Sequence, residues 1–211
     1  MTIRPLLECS RLSFERDDWP VFAGVSFVVE EGDILQITGA NGAGKTTLLR
    51  MLSTTLSPSE GRILWQGRPL SECLAEYRSD CLYLGHQPGV KTALTPRENL
   101  HWLLAVHPRH ADRIDHALSQ VGLLRHADSP CGSLSAGQLR RVALARLYLS
   151  EARLWILDEP FTAIDRAGVG ELETLMDNHA ARGGAVVVTT HQPLTLSPKQ
   201  LDLEPYGRCI A

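Results

Sequence analysis

Short apolar runs rich in β-branched residues, separated by Gly, Pro and Asp, dominate the first third of the chain. Three of these runs predict β-strands: Leu6 to Phe14, Val25 to Val29 and Ile34 to Thr38. A glycine-rich turn from Gly39 to Gly44 then predicts the start of a helix, over about Lys45 to Thr54. Gly61 to Trp65 predicts a further strand that returns to the first sheet.

The apolar runs in the rest of the chain end in polar residues. Cys81 to Gly85 predicts a strand, and a helical region follows with Leu100, Leu103 and Leu104 on one face. Leu154 to Leu157 and Ala185 to Thr189 predict central strands of a parallel sheet, whose ligand-binding edge lies at the strand carboxyl ends.

Composition narrows the classes of protein to consider. A chain of 211 residues with 44% hydrophobic residues predicts one sizeable core. A net charge of -3 argues against nucleic acid as a partner. Apolar stretches fall short of the roughly 20 residues that a spanning helix needs, and no signal peptide is evident, so we expect any membrane role to come through a partner. Five cysteines without a C-x-x-C pair suggest reduced, cytosolic thiols and neither a disulfide framework nor a zinc site.

One segment after the third predicted strand has the pattern G-x-x-x-x-G-K-[ST]. It consists of Gly39, Ala40, Asn41, Gly42, Ala43, Gly44, Lys45 and Thr46. Between a strand and a helix, this pattern predicts a loop whose backbone N–H groups hold phosphates. Lys45 is expected to reach the β- and γ-phosphates and Thr46 to bind Mg²⁺. Thr47 is also expected to belong to the ATP-binding residues. The alternative is a glycine-rich turn without a ligand.

Two carboxylates follow the predicted strand that ends at Leu157. Asp158 at the end of an apolar strand needs a compensating charge, and Mg²⁺ would supply it. Glu159 is then the candidate base that accepts the proton of an attacking water. Taken alone, the pair could equally be an ordinary helix start.

A second candidate anion site lies at Leu134 to Gln138. Ser135, Gly137 and Gln138 open a helix with free N–H groups and a hydroxyl suited to a γ-phosphate. Because the chain already has one phosphate loop, this site is expected to face the nucleotide of another subunit. The alternative is a routine helix N-cap at Ser135.

Together these motifs resemble the ABC-type ATPases over nearly the whole chain. The resemblance implies an α/β fold: a P-loop NTPase (RecA-like) core with an antiparallel β subdomain and a helical signature subdomain at about residues 88–150. It implies one domain over residues 1–205 and a short tail at 206–211. ATP and Mg²⁺ are the implied cofactors.

The resemblance also implies roles that the residues alone would not suggest. Gln87 matches the glutamine that touches Mg²⁺ and the lytic water and passes movement to the membrane subunits. His191 matches the switch histidine on the γ-phosphate, and Asp165 matches the aspartate that crosses the dimer interface. In isolation these residues would be a surface amide, a loop histidine and a helix cap.

The adenine contact departs from the family pattern. The family usually stacks an aromatic residue on adenine between the first two strands, whereas the matching residue here is Arg16. A guanidinium can also stack on a base, and Phe14 or Trp19 could substitute.

Further segments resemble one branch of the family, the ATP-binding subunits of the bacterial cytochrome c maturation system. They are residues 85–92 followed by 94–95 and 98–100, residues 161–165 and residues 190–194. This resemblance implies a homodimer docked on integral-membrane subunits at the cytoplasmic face of the inner membrane. Its ATP hydrolysis would serve delivery of heme to a periplasmic heme chaperone. Another cargo (lipid, lipoprotein or a small molecule) stays open, as does a soluble ABC ATPase acting on ribosomes or DNA.

The same resemblance places the contacts with the membrane subunit after Gln87, and we expect a partner groove lined by Val90, Leu94 and Trp102. Nothing in the residues indicates heme itself, because there is no C-x-x-C-H motif. Three clustered histidines are expected to lie on a solvated loop and helix face: His107, His110 and His116.

Overall fold

The computed structural model describes residues 5–17, 19–104 and 112–207. The described chain forms two compact units. The first unit comprises Met1–Tyr83, Ala152–Glu159 and Leu172–Ala211, and the second comprises Leu84–Glu151 and Pro160–Glu171, in each case within the described residues. The expected helical subdomain, 88–150, lies within the second unit.

Nine strands and six α-helices are described. The strands are β1 (Pro5–Arg16), β2 (Trp19–Glu30), β3 (Ile34–Thr38), β4 (Glu60–Trp65), β5 (Arg68–Pro69), β6 (Cys81–Leu84), β7 (Leu154–Asp158), β8 (Ala185–Thr189) and β9 (Lys199–Asp202). The helices are α1 (Lys45–Leu52), α2 (Leu70–Ser79), α3 (Pro96–Leu104), α4 (Ile114–Gln120), α5 (Ala136–Ala145) and α6 (Arg166–Ala181).

The first sheet is antiparallel, with strand order β2-β1-β4-β5. Cys9 of β1 pairs with Phe27 on one side and with Ile63 on the other. The predicted return of the strand after Gly61 to this sheet is therefore confirmed. β1 extends beyond its predicted run through Glu15 and Arg16, and β2 begins at Trp19 and not at the predicted Val25, because the ladder between the two strands continues to their shared turn.

The second sheet has the order β6-β7-β8-β3-β9, and β7, β8, β3 and β9 pair in parallel. β3 and β8 begin and end where the apolar runs predicted. All residues of β7 and β8 are buried, as expected for central strands of a parallel sheet. The register places Asp158, the last residue of β7, opposite Thr189, the last residue of β8.

One hydrophobic cluster of the first unit includes the buried residues of α1. Leu48, Leu49 and Leu52 of α1 are fully buried in it, and the hydroxyl of Tyr77 donates to Leu52 O at 2.5 Å. Tyr206, in the segment expected to be a tail, packs against the same cluster. This core anchors α1, and with it the loop that precedes α1.

Helices α3, α4 and α5 lie in the second unit, where Leu100, Leu118 and Val142 are buried. The side chains of Leu103 and Leu104 lie outside what the structure describes, as do His107 and His110. His116 is exposed on α4.

Asn99 of α3 is a buried amide in the second unit. Its Nδ2 donates to Lys91 O, Thr95 O and Cys131 Sγ, and its Oδ1 accepts from Lys91 N at 2.8 Å. Buried polar groups need such partners to offset their desolvation. Asn99 therefore fixes the loop that leads from Gln87 into α3.

Candidate active site

The loop from Gly39 to Thr46 joins β3 to α1. Gly39, Gly42 and Gly44 have φ of 135°, 89° and 95°, a region that favours glycine. Lys45 Nζ donates to Gly39 O at 2.6 Å and to Ala40 O at 3.1 Å, so its ammonium lies across the loop. Positive charge and the N-terminus of a helix therefore meet at one place, as an anion site requires.

Gly42 and Gly44 are needed for different reasons. A Cβ on Gly44 would lie 2.7 Å from Cδ1 of Phe22, whereas a Cβ on Gly42 would meet nothing within 4 Å. Gly44 therefore allows close packing against β2. Gly42 leaves open the space that a phosphate would use.

Asp158 is bound by two hydroxyl groups. It is 1% exposed, and its Oδ1 accepts from Thr189 Oγ1 at 2.9 Å and from Thr46 Oγ1 at 3.3 Å. Thr47, the next residue of α1, is buried. A hydroxyl beside a carboxylate is a hard oxygen pair that suits Mg²⁺, which typically takes one or two carboxylates plus substrate phosphates. No group of three or more His, Cys, Asp or Glu side chains that could hold a metal is found within residues 5–17, 19–104 and 112–207.

Glu159 lies directly after β7 in a strained backbone conformation. Its φ is 49°, which is uncommon for a residue with a side chain. Its N–H donates to Thr189 O and Thr189 Oγ1, each at 3.1 Å. His191 N donates to Glu159 Oε2 at 3.4 Å, and His191 Nε2 lies 3.5 Å from Glu159 Oε1. The carboxyl ends of β7 and β8 thus bring Asp158, Glu159 and His191 together.

A shallow pocket of about 450 Å³ opens beside the phosphate loop. Arg16 and Trp19, which pair across the β1–β2 turn, both line it together with Gly42. Trp19 is 63% exposed, so its ring is available to a ligand. Phe14 instead packs against the hydrophobic cluster of the first unit. Of the three residues considered for the adenine contact, Arg16 and Trp19 therefore line this pocket and Phe14 does not.

Ser135 caps α5 in the second unit. Its Oγ accepts from Gln138 N at 3.2 Å, and Gln138 Oε1 accepts from Ser135 N at 2.9 Å, which completes a capping box. The N-cap interpretation of Ser135 is thus correct as local structure. Because Oγ serves as an acceptor there, it keeps its own proton to donate to a ligand. A Cβ on Gly137 would lie 2.8 Å from Ala163 O, so glycine allows the backbone there to approach closely.

Asp165 also caps a helix. Its Oδ1 accepts from Gly168 N at 2.9 Å at the start of α6, and its Oδ2 accepts from Arg141 at 2.8 Å. The bond from Gly168 and the Arg141 guanidinium hold the pKa of Asp165 below its ordinary value. Gln87 is exposed in the loop after β6.

Sequence reasoning missed three polar residues that shape these sites: Thr189, Arg140 and Asn99. The alignment of two strand ends could have shown that Thr189 lies beside Asp158. Arg140 occupies a position on α5 where the helical period predicts an apolar residue, and this mismatch could have indicated a buried arginine with a special role. Asn99 lies in a segment that carries the family resemblance, but nothing in the sequence indicates its buried hydrogen bonds.

Within the described residues, none of the helices has the length and apolar character needed to cross a membrane. A family model described as ABC transporter matches residues 22–162. Two proteins with closely similar sequences are both named cytochrome c biogenesis ATP-binding export protein CcmA. The one from Salmonella typhi is 53% identical over 189 residues, which is 90% of this chain and 91% of that protein. The one from Escherichia coli (strain K12) is 50% identical over 198 residues, which is 93% of this chain and 94% of that protein.

Solved structures show the same fold. An ATP-binding protein of a putative ABC transporter from Pyrococcus furiosus superimposes with a TM-score of 0.82 at 27% identity, covering 96% of this chain and 99% of the other. An ATP-binding subunit of an ABC transporter gives a TM-score of 0.81 at 28% identity, covering 88% of this chain and 79% of the other. The predicted fold is thereby confirmed, and the chain belongs to the ABC transporter family, among the cytochrome c biogenesis ATP-binding export proteins.

Proposed function

We propose that the chain hydrolyses ATP with Mg²⁺ and that this hydrolysis serves heme delivery to a periplasmic heme chaperone during cytochrome c biogenesis. The observation that carries the catalytic part is the cluster at the strand ends, where Thr46 and Asp158 adjoin Glu159 and His191. Relatives that are about half identical and named for cytochrome c biogenesis support the biological part.

Within this proposal, the residues divide the work of phosphoryl transfer. The loop from Gly39 to Thr47 binds the phosphates, with Lys45 on the β- and γ-phosphates, and Arg16 or Trp19 contacts adenine. Thr46, Asp158 and Gln87 would hold Mg²⁺, which neutralises charge on the phosphates. Glu159 accepts the proton of the attacking water, and His191 orients it and the phosphoryl oxygens. Positioning and charge stabilisation supply most of the rate in such reactions.

A second copy of the chain would complete each site. Ser135, Gly137, Gln138 and Asp165 belong to the second unit, whereas the phosphate loop belongs to the first. The capped N-terminus of α5 favours a negative charge, and Ser135 has a proton to donate. We therefore propose a homodimer in which the Ser135 end of α5 in one copy contacts the γ-phosphate held by the other.

The homodimer is further proposed to dock on integral-membrane subunits at the cytoplasmic face of the bacterial inner membrane. The proposed contact surface consists of Val90, Leu94 and Trp102. Trp102 is 57% exposed and Lys91 Nζ lies 3.7 Å from the centre of its ring, while Val90 and Leu94 are half-buried. A partly apolar surface beside a loop that Asn99 holds in shape suits a protein partner.

The first test compares Glu159→Gln with the parent chain and with Glu60→Gln, a control at the exposed start of β4. Purified proteins are mixed with ATP and Mg²⁺, sized by gel filtration and assayed for ATPase rate. Removing the base while keeping ATP binding is expected to trap a dimer and to abolish turnover, and Glu60→Gln should behave as the parent. Parental ATPase activity in Glu159→Gln would refute the role of this carboxylate.

The second test addresses the membrane partner. Val90→Asp combined with Leu94→Asp is expected to abolish co-purification of the membrane subunits. Leu124→Asp, which changes an exposed apolar residue elsewhere in the second unit, should leave it intact. Unchanged co-purification of the double variant would count against the proposed surface.

The third test addresses the cargo. Deletion of the chain in its host is expected to remove covalently attached heme from c-type cytochromes, detected by heme staining, and the parent gene but not Glu159→Gln should restore it. Normal heme staining in the deletion strain would instead favour another cargo.

A further inference from the structure

Arg140 is a buried cation in the helix that begins at Ser135. It is 3% exposed, and it shares one side of α5 with the buried residues Ala143 and Leu144. Arginine is seldom fully buried, because its desolvation costs several kcal/mol unless hydrogen bonds offset it. The position therefore calls for an explanation beyond packing.

The described hydrogen bonds of Arg140 go to backbone carbonyls of two loops. One terminal nitrogen donates to Gly85 O at 2.9 Å and to His86 O at 3.4 Å, and Nε donates to Pro160 O at 3.3 Å. The planar guanidinium has five N–H donors in a fixed fork, so it can bind carbonyls from separate segments at once.

Each of these carbonyls belongs to a residue within two positions of a residue of the proposed mechanism. Gly85 and His86 directly precede Gln87, and Pro160 directly follows Glu159. Arg140 itself lies five residues after Ser135, a separation of about 7.5 Å along a helix. The Arg140 side chain thus connects the backbone of two loops to α5, the helix that Ser135 caps.

We propose that Arg140 is a positioning residue for hydrolysis, which holds the loop of Gln87 and the segment after Glu159 in fixed register with α5. This inference rests on the proposed ATPase function. In this proposal, Arg140 acts through the loop backbone that it binds and not on the reacting atoms. A lysine at this position would keep the charge but would lose the fork, and methionine would keep only the apolar stem.

The kinetic test measures kcat, KM for ATP and nucleotide Kd for Arg140→Lys and Arg140→Met. Arg97→Lys is the control, since it alters a similar fork on Asp115 and Asp128 at the surface of the same unit. We expect kcat to fall by about tenfold or more in both Arg140 variants, because small misplacements of reacting groups are costly. KM and Kd should change less than about threefold, since the phosphate loop belongs to the other unit. The control should match the parent.

Stability separates positioning from simple unfolding. Arg140→Met leaves the carbonyls of Gly85, His86 and Pro160 without this donor, so its Tm should fall below the parental value. Its kcat is therefore measured well below that Tm, where the variant is folded, and should still fall by about tenfold or more. Parental kcat in Arg140→Met would overturn the proposal. So would a kcat that falls only in proportion to the unfolded fraction.

Amide hydrogen exchange tests whether Arg140 holds the two loops in place, and this test does not depend on ATPase activity. In the nucleotide-free chain, amides of residues 85–92 and 161–168 should exchange faster in Arg140→Met than in the parent, while those within α5 stay protected. A parent that hydrolyses no ATP would refute the proposed function, and exchange would still decide whether Arg140 holds the loops. Unchanged exchange in both segments would overturn the inference about Arg140.

Discussion

Thr189 provides a sharp test of how the strand ends position the candidate cation site. Its hydroxyl donates to Asp158 Oδ1 at 2.9 Å and accepts from Glu159 N at 3.1 Å, and the residue is fully buried. Thr189→Val removes only this hydroxyl, because valine has nearly the same shape and suits a β-strand. The substitution leaves the backbone bond from Glu159 N to Thr189 O in place.

The magnitude follows from the kind of hydrogen bond that is lost. A hydrogen bond to a buried carboxylate contributes about 2 kcal/mol, and a neutral one about 1 kcal/mol. Glu159 N keeps its bond to Thr189 O in the variant, so only the bond to Asp158 is counted as lost. For a chain of this size, each kcal/mol lowers Tm by about 3 °C, so Thr189→Val should lower Tm by about 6 °C. The neighbour Thr190 is the matched control. Its Oγ1 accepts a neutral bond from Gln192 N at 3.0 Å, so Thr190→Val should lower Tm by only about 3 °C.

The functional readout is the Mg²⁺ concentration that gives half-maximal ATPase rate. Loss of a group that orients a metal-binding carboxylate typically costs about tenfold in metal affinity or more. We expect a rise of about tenfold for Thr189→Val and less than about twofold for Thr190→Val. Equal Mg²⁺ dependence in the two variants would refute the argument that Thr189 orients Asp158 for a cation.

Three further predictions concern single residues. Gly42→Ala and Gly24→Ala should destabilise the fold alike, by about 1 kcal/mol for a positive φ, but calorimetric titration should show lost ATP binding only in Gly42→Ala. Tyr77→Phe should lower the free energy of unfolding in urea by about 1–2 kcal/mol, since the buried carbonyl of Leu52 loses its donor. Burial lowers the pKa of His179 below its ordinary value of 6.5. Its stabilising effect is therefore complete above pH 6.5 and is lost as pH falls toward the lower folded value, so His179→Gln should flatten the Tm profile over that range. A profile as steep as the parent's would contradict this assignment.

The helices and strands that could be predicted from the sequence are those for which the hydrophobic pattern and the flanking residues indicate the same boundaries. The first and last residues of β3 and β8 were predicted correctly, because short β-branched runs bounded by Gly, Asp or polar residues leave little choice of where a strand begins and ends. α1 was predicted to begin at Lys45, since the glycines exclude a helix before it. β9 was not predicted, because Lys199–Asp202 is a polar edge strand that forms through its pairing with β3. Such pairing depends on residues far away in sequence, which no local pattern records.

The residues of the candidate site likewise fall into those that the sequence indicates and those that only the structure reveals. Asp158 and Glu159 could be found from the end of an apolar strand, and the phosphate loop from its glycines. Thr189 and Arg140 act by hydrogen bonds to groups 31 and 55 residues away, so their roles required coordinates. The choice between Arg16 and Trp19 for adenine also stayed open, because both line the pocket beside Gly42.

Lys45 shows why the loop is stable before nucleotide arrives. Its ammonium bonds the loop's own carbonyls at Gly39 and Ala40, so the charge stays partnered and the loop keeps its shape. Phosphate binding must therefore exchange carbonyl partners for phosphate oxygens, and only the difference between the two contributes to affinity. The capping box at Ser135, by contrast, already orients its hydroxyl without any such exchange. For the proposed homodimer, we therefore expect Lys45 to set how tightly one subunit binds nucleotide, and Ser135 to set how readily a second subunit closes on it.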